Sequence, residues 1–265
     1  MSKLLTRNWF PIWAIASTIA VVLVMVLIVS NRAAPGISAP ERVPIESAAG
    51  TLPVGSPLPS DQHCAAYAQQ VGSNRESRPE NTAANNSVPS GLALPPWPEF
   101  WDPLANQLFV PRINGQFTGT TDQIIAWGAC KWGFSTDVVR AVAWAESSWR
   151  QAHVGDEVND PSLCVGGYRV PCPTSFGLLQ LKYIFRPGSW PDSQLHTAFN
   201  VDYGLAYIRG CFEGWASYLR KDGYIPGDLP GCLGWHYSGE WRDGPALDYI
   251  QRVQRPLDER PWTRL

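Results

Sequence analysis

Neither sign of charge is in excess along the 265 residues: 21 Lys and Arg face 23 Asp and Glu, a formal net charge of -2. Lacking a basic stripe, the chain has no electrostatic footprint for nucleic acid, and no nucleic-acid partner is expected. No two cysteines form a CxxC pair and no two of the four histidines are spaced as HxxxH. Metal-ligand spacing is therefore missing, and neither a metal nor a cofactor is expected. Long alternating runs of apolar and polar residues are also missing, which argues against a large half-buried sheet. No internal repeat is visible, and one folded domain is the simplest expectation for this length.

Charge is missing altogether between Trp9 and Ser30, in WFPIWAIASTIAVVLVMVLIVS. That matches the roughly 20 apolar residues that cross a bilayer as a helix. A cleaved signal peptide is the competing reading, but its apolar core is shorter, about 7 to 15 residues. Lys3 and Arg7 precede the run and only Arg32 follows closely, so the positive-inside bias leaves residues 1–8 in the cytoplasm and the rest outside. A single-pass location in the cell membrane is expected, with residues 9–30 as anchor. Six cysteines agree with an oxidising exterior. Cys164 and Cys172 flank the short loop CVGGYRVPC and Cys211 with Cys232 brackets the segment after a helix, which leaves Cys64 with Cys130. Other connectivities are open to six cysteines.

Residues 31–63 are rich in Pro, Ala, Ser and Gly and show no periodicity, as expected of a linker. Extended at roughly 3 Å per residue, it would hold a domain about 100 Å from the membrane. Residues 64–120 are irregular, with a short helical start, and are expected to wrap the domain rather than form its core. Residues 121–265 are expected to be that domain, and mainly α. TDQIIAWGACK opens after Thr120 or Thr121 and closes at Gly133. STDVVRAVAWAESSWRQ begins with Ser135, Thr136 and Asp137, any of which can cap, and places Val138, Ala141, Val142, Ala145 and Trp149 on one face. Shorter helical pieces fit TSFGLLQLK and SGEWRDGPALDYIQRVQ, and a long one fits TAFNVDYGLAYIRGCFEGWASYLR. The segment between Glu157 and Pro173 has room for a small hairpin.

Glu146 lies one turn after Val142 and borders the apolar stripe of its helix. A carboxyl placed against the core has a raised pKa and can stay protonated near neutral pH, as a general acid must. AVAWAESSWR, SFGLLQLK, FNVDYGLAYIRGCF and YIQRV, in that order, resemble the motifs of the soluble lytic transglycosylase family over residues 121–255. Glu146 and Ser147 take the places of the family's Glu-Ser pair. Gly177, Leu178, Leu179 and Gln180 look like its Gly-Leu-Met-Gln element, with Leu for Met. Asn200, Gly204 and Tyr207 match its third motif, and Tyr249 its late tyrosine.

The resemblance implies a lysozyme-like α+β fold and cleavage of peptidoglycan glycan strands between N-acetylmuramic acid and N-acetylglucosamine, leaving 1,6-anhydro ends. Glu146 would serve as both acid and base. Tyr249 would orient it or the substrate's acetamido group, and Ser147, Gln180 and Asn200 would hold the glutamate's loop or the sugar, with Tyr207 beside them. Gly177 and Gln180 suit a turn equally well, and Asn200 a helix cap. Two alternatives stay open: a hydrolase of goose-type lysozyme character, in which Asp156 positions a water, and a peptidoglycan-binding protein without activity. Trp149, Tyr183 and Trp190 are candidates for stacking on sugars. The histidines receive no role.

Overall fold

The computed structural model describes residue 45 and residues 50–265, all within one compact unit. The anchor expected at 9–30, the tail before it and the first part of the linker lie outside the described residues. Among the described residues no helix is long and apolar enough to cross a membrane.

The unit is mainly helical, as expected. Its principal helices are α1 (Asp61–Val71), α2 (Thr121–Trp132), α3 (Thr136–Ser147), α4 (Thr197–Phe212), α5 (Leu229–Ser238) and α6 (Gly244–Glu259). Helix α2 is central, packed on α1, α3 and α4, while α6 packs on α3 and α5. Thr120 and Gln123 form a reciprocal capping box at the start of α2, and Gly133 ends it at φ +68°. Helix α3 stops sooner than its apolar pattern suggests. Ser148 and Trp149 both adopt left-handed backbone, at φ 52° and 64°, and turn the chain away immediately after Glu146 and Ser147. The long helix expected from Thr197 ends at Phe212, because Gly214 adopts φ +94° and the chain resumes only as a 3-10 turn over Ser217–Asp222.

TSFGLLQLK is not helical. It forms a tight hairpin, β2 (Ser175–Phe176) and β3 (Leu181–Lys182), joined on its other edge by β1 (Val154–Gly155) into an antiparallel sheet. Gly177 at φ +82° and Gln180 at φ +48° bend the chain where a helix would need negative φ. Between β1 and β2 the loop 157–173 carries only the single bridge Val158–Cys172 in place of a full hairpin.

Two boundaries read from composition are corrected. Residues 50–63 are not free linker: Arg209 on α4, itself buried, donates to the carbonyls of Leu52 (2.9 Å) and Pro53 (2.8 Å), and α1 starts at Asp61. The segment 64–120 does not merely wrap, since Trp97, Trp101, Phe109 and Ile113 are buried within the main core. Three disulfides tie these pieces together, Cys64–Cys130 between α1 and α2, Cys164–Cys172 across the loop, and Cys211–Cys232 between α4 and α5. They are the pairings favoured by spacing.

Candidate active site

The sheet, the end of α3, and helices α5 and α6 enclose a cleft of about 660 Å³. Glu146 reaches it from the last turn of α3, with its side chain only 8% exposed. Burial pushes its carboxyl up to about 7, against the opposing pull of the Tyr249 hydrogen bond and the Arg252 and Arg186 charges. Tyr249, buried on α6, donates its hydroxyl to Glu146 Oε1 at 2.5 Å. Its ring stacks on Tyr237 with 4.8 Å between centroids, which fixes the direction of the hydroxyl.

His236, on α5, places Nε2 3.9 Å from the same carboxylate oxygen. This contact is not an ion pair. Burial, followed by the Arg186 charge, pushes the imidazole down to about 3, so the ring is neutral. Its partners assign the tautomer: Arg186 Nη2 donates to Nδ1 (3.4 Å), leaving the proton on Nε2, which faces the Leu179 carbonyl (3.4 Å) and Glu146.

The other expected site residues divide in two. Ser147 and Asn200 hold the scaffold. Ser147 Oγ donates to the Leu178 carbonyl at 2.9 Å and so ties α3 to the hairpin turn. Fully buried Asn200 accepts from Leu179 N (2.7 Å) and donates to the carbonyls of Phe176 (2.8 Å) and Ser193 (2.9 Å). Asn200 therefore threads the turn onto α4, and it fits so closely that a Cβ at Gly177 would stand 2.2 Å from its Nδ2. Gly204, one turn on, allows a similar approach: a Cβ there would be 2.9 Å from Leu179 Cδ1. Replacing Asn200 by Ala removes the acceptor of Leu179 N and one donor each from the Phe176 and Ser193 carbonyls, the latter keeping Gln151 Nε2 at 2.9 Å. It should cost about 2–4 kcal/mol of stability, taking 1–3 kcal/mol per uncompensated group with partial relaxation. Urea unfolding of the variant measures this.

Gln180 and Tyr207 do line the cleft. Gln180 Nε2 donates to the carbonyls of His153 (3.0 Å) and Gly177 (2.8 Å), so its amide is held at the wall. Tyr207 is buried at the base, stacked on Trp235 with centroids 5.3 Å apart, and accepts from Trp101 Nε1 at 3.1 Å.

Asp156 both shapes its loop and faces the cleft. It is a turn residue, with φ +54° and its carbonyl accepting from Thr174, and it also lines the cleft. Its carboxylate accepts from Ser175 Oγ at 2.6 Å and lies 3.5 Å from Lys182 Nζ. Its charge faces Glu146 closely enough to help raise that carboxyl.

Trp149, Tyr183 and Trp190 do not line the cleft. Trp149 is buried with Nε1 donating to Arg140 O, Tyr183 bonds the Leu163 carbonyl, and Trp190 packs on Phe176. The exposed aromatic rings on the cleft are instead Phe100, Phe185 and Tyr237, and the sequence reading passed over all three. It also passed over His236, Arg186 and Arg252. Only Arg252 carried a local signal, since it stands one helical turn after Tyr249 and so shares its face. Among the described residues no cluster of His, Cys, Asp and Glu has the makings of a metal site.

No family model, curated protein or solved structure matches the chain.

Proposed function

We propose that the protein is a lytic transglycosylase of lysozyme-like fold that cleaves peptidoglycan glycan strands, held outside the cell membrane by residues 9–30. The observation that carries this reading is the buried Glu146 carboxyl, raised to about 7 and bonded by Tyr249, at the base of a cleft rimmed by exposed aromatic rings. The four sequence motifs that resemble the family each contribute a residue at or beside that cleft, Glu146, Gln180, Tyr207 and Tyr249.

A carboxyl that is still protonated near neutral pH can give its proton to the glycosidic oxygen as the bond from muramoyl C1 breaks. The substrate's acetamido oxygen closes on C1 and carries the developing positive charge. The Glu146 carboxylate then accepts the proton of the C6 hydroxyl as the C6 oxygen attacks C1 and expels the acetamido oxygen, forming the 1,6-anhydro ring, regenerating the neutral acetamido group and restoring the acid. One carboxyl serves twice, and no water is consumed. Tyr249 steadies the carboxylate between the two steps, while neutral His236 offers a further N–H beside it without a charge that would force permanent ionisation.

Hydrolysis is the second reading, favoured by the presence of Asp156 in the same cleft. Its Oδ2 is already engaged by Ser175 and Lys182, so only Oδ1 is left to position a water. Mass analysis of the fragments released from purified peptidoglycan separates the two. Anhydro ends, one water lighter, support transglycosylation, and reducing ends would assign the hydrolase.

The acid role also predicts a pH profile. kcat/KM on glycan strands should fall as pH rises through about 7, as Glu146 loses its proton. The Tyr249 hydrogen bond favours the charged form, so Tyr249→Phe should move this alkaline limb to higher pH while lowering the maximum rate. An unmoved limb would detach Tyr249 from the titration of Glu146.

A further inference from the structure

A neutral sugar needs no cations, yet two guanidinium groups line the cleft beside the proposed acid. Arg186 is 7% exposed, with its guanidinium 3.7 Å over the Tyr207 ring. Arg252 lies 4.3 Å over Tyr237 and 4.9 Å over Tyr249. Each has its Nε buried without a hydrogen-bond partner. Neither is ion-paired with any described carboxylate. Asp156, an acid on the same cleft, is taken up by Lys182 and Ser175.

Stacking on aromatic rings accounts for the planes of the two groups but leaves the in-plane Nε of each unused; Arg186 spends Nη1 on the Phe185 carbonyl (3.3 Å) and Nη2 on His236 (3.4 Å). A buried donor without a partner is costly, and natural sites keep such donors for something that arrives. Position narrows the choice of ligand. Arg186 reaches Glu146 through His236, with Nη2 at 3.4 Å from one ring nitrogen and the other nitrogen 3.9 Å from Oε1. Arg252 reaches the same oxygen through the Tyr249 ring, whose hydroxyl bonds it. Both cations thus stand one aromatic ring from the atom proposed to break the glycosidic bond. Whatever they bind belongs to a sugar next to that bond. Planar guanidinium edges match the paired oxygens of a carboxylate.

We infer that Arg186 and Arg252 form a carboxylate subsite, so that the cleft selects glycans bearing a carboxylate at the sugar adjoining the cleaved bond. The inference rests on the proposed reading of this cleft as a glycan-cleaving site. Two sources supply such a carboxylate: the lactyl group of a muramoyl residue freed of its peptide, or an acidic residue of an attached stem peptide.

The test uses the full chain carrying Glu146→Gln, so that strands bind without being cut, and reads tryptophan fluorescence, since Trp235 lies 5.7 Å from the Arg186 guanidinium. Glycan oligosaccharides stripped of peptide are compared with the same oligosaccharides after conversion of their carboxyls to methyl amides. Stripped strands should bind about ten-fold or more tightly than the amides, as expected of charge-assisted hydrogen bonds. Adding Arg252→Gln should bring that ratio close to one. Equal affinity of stripped, amidated and stem-bearing strands in the arginine-intact protein, or no saturable binding of any of them, overturns the inference. Strands still carrying stems then name the source. Stem-bearing strands that bind more tightly than the amides place a carboxylate on the peptide, and binding as weak as the amides places it on the sugar. Cleavage by the unsubstituted protein is scored separately. Cutting without discrimination sinks the subsite and spares the transglycosylase reading, whereas discrimination in binding without cutting of any strand does the reverse.

Discussion

Glu146→Gln should reduce glycan cleavage by roughly 10³-fold or more, in line with the 10²–10⁴ contributed by a positioned general acid together with loss of the base in the second step. The same substitution should make the protein more stable, and the sign follows from linkage. In an open chain the carboxyl titrates near 4.5, and in the fold near 7. Between those values the folded state holds a proton that the unfolded state has released, so stability falls as pH rises from about 4.5 and the loss is complete above 7. At about 1.36 kcal/mol per pH unit the full penalty is on the order of 3 kcal/mol. Glutamine cannot ionise, so the variant should gain up to that amount at pH 8 and almost nothing at pH 4. Urea unfolding at the two pH values measures the gain. A residue that merely packed in the wall would lose stability when altered, and would do so at both pH values. An increase confined to neutral and alkaline pH, paired with lost cleavage, is the signature of a carboxyl kept buried for its chemistry.

Much of this site could be read along the chain because its parts are short and local. Helix α2 announces itself by Thr120, Gln123 and Gly133, whose capping chemistry depends only on near neighbours. Glu146 can be placed because α3 repeats its apolar residues at helical spacing as far as Ala145. The hairpin could not be read in the same way. SFGLLQLK contains a short apolar run that satisfies helix and strand alike, and what decides is positive φ at Gly177 and Gln180, imposed by Asn200 from a different helix. The packed stretch around Leu52 and Pro53 was hidden for a related reason. It contributes backbone carbonyls to Arg209, and composition carries no trace of carbonyls. His236 is the plainest case. Its neutrality comes from burial and from Arg186, fifty residues earlier, so no motif around it marks it out.

Asp202→Asn should cost about 3–5 kcal/mol of unfolding free energy, the usual result of removing one partner of a buried ion pair. Asp202 stands in the FNVDYG motif, two residues after Asn200, and is fully buried. Its Oδ2 accepts from Lys131 Nζ at 2.8 Å and from the backbone N–H groups of Asn114 and Gly115, each at 2.9 Å, while Oδ1 accepts from Trp132 Nε1 at 2.7 Å. All four partners are donors, and only a carboxylate can accept from both sides. An asparagine would turn its NH2 toward one set of donors whichever way it flipped. Lys131, itself fully buried, would be left with the half-exposed Asp61 at 3.2 Å and Asn114. The double variant Lys131→Met, Asp202→Leu should recover part of the loss, since an apolar pair removes the stranded charge, although the Asn114, Gly115 and Trp132 donors would remain unmet. Thermal and urea unfolding of the single and double variants measure the coupling. The position of α4 depends on this cluster, and α4 carries Asn200, which shapes the turn that Ser147 binds. Loss of the Asp202 charge should therefore weaken cleavage as well, even though Asp202 does not line the cleft.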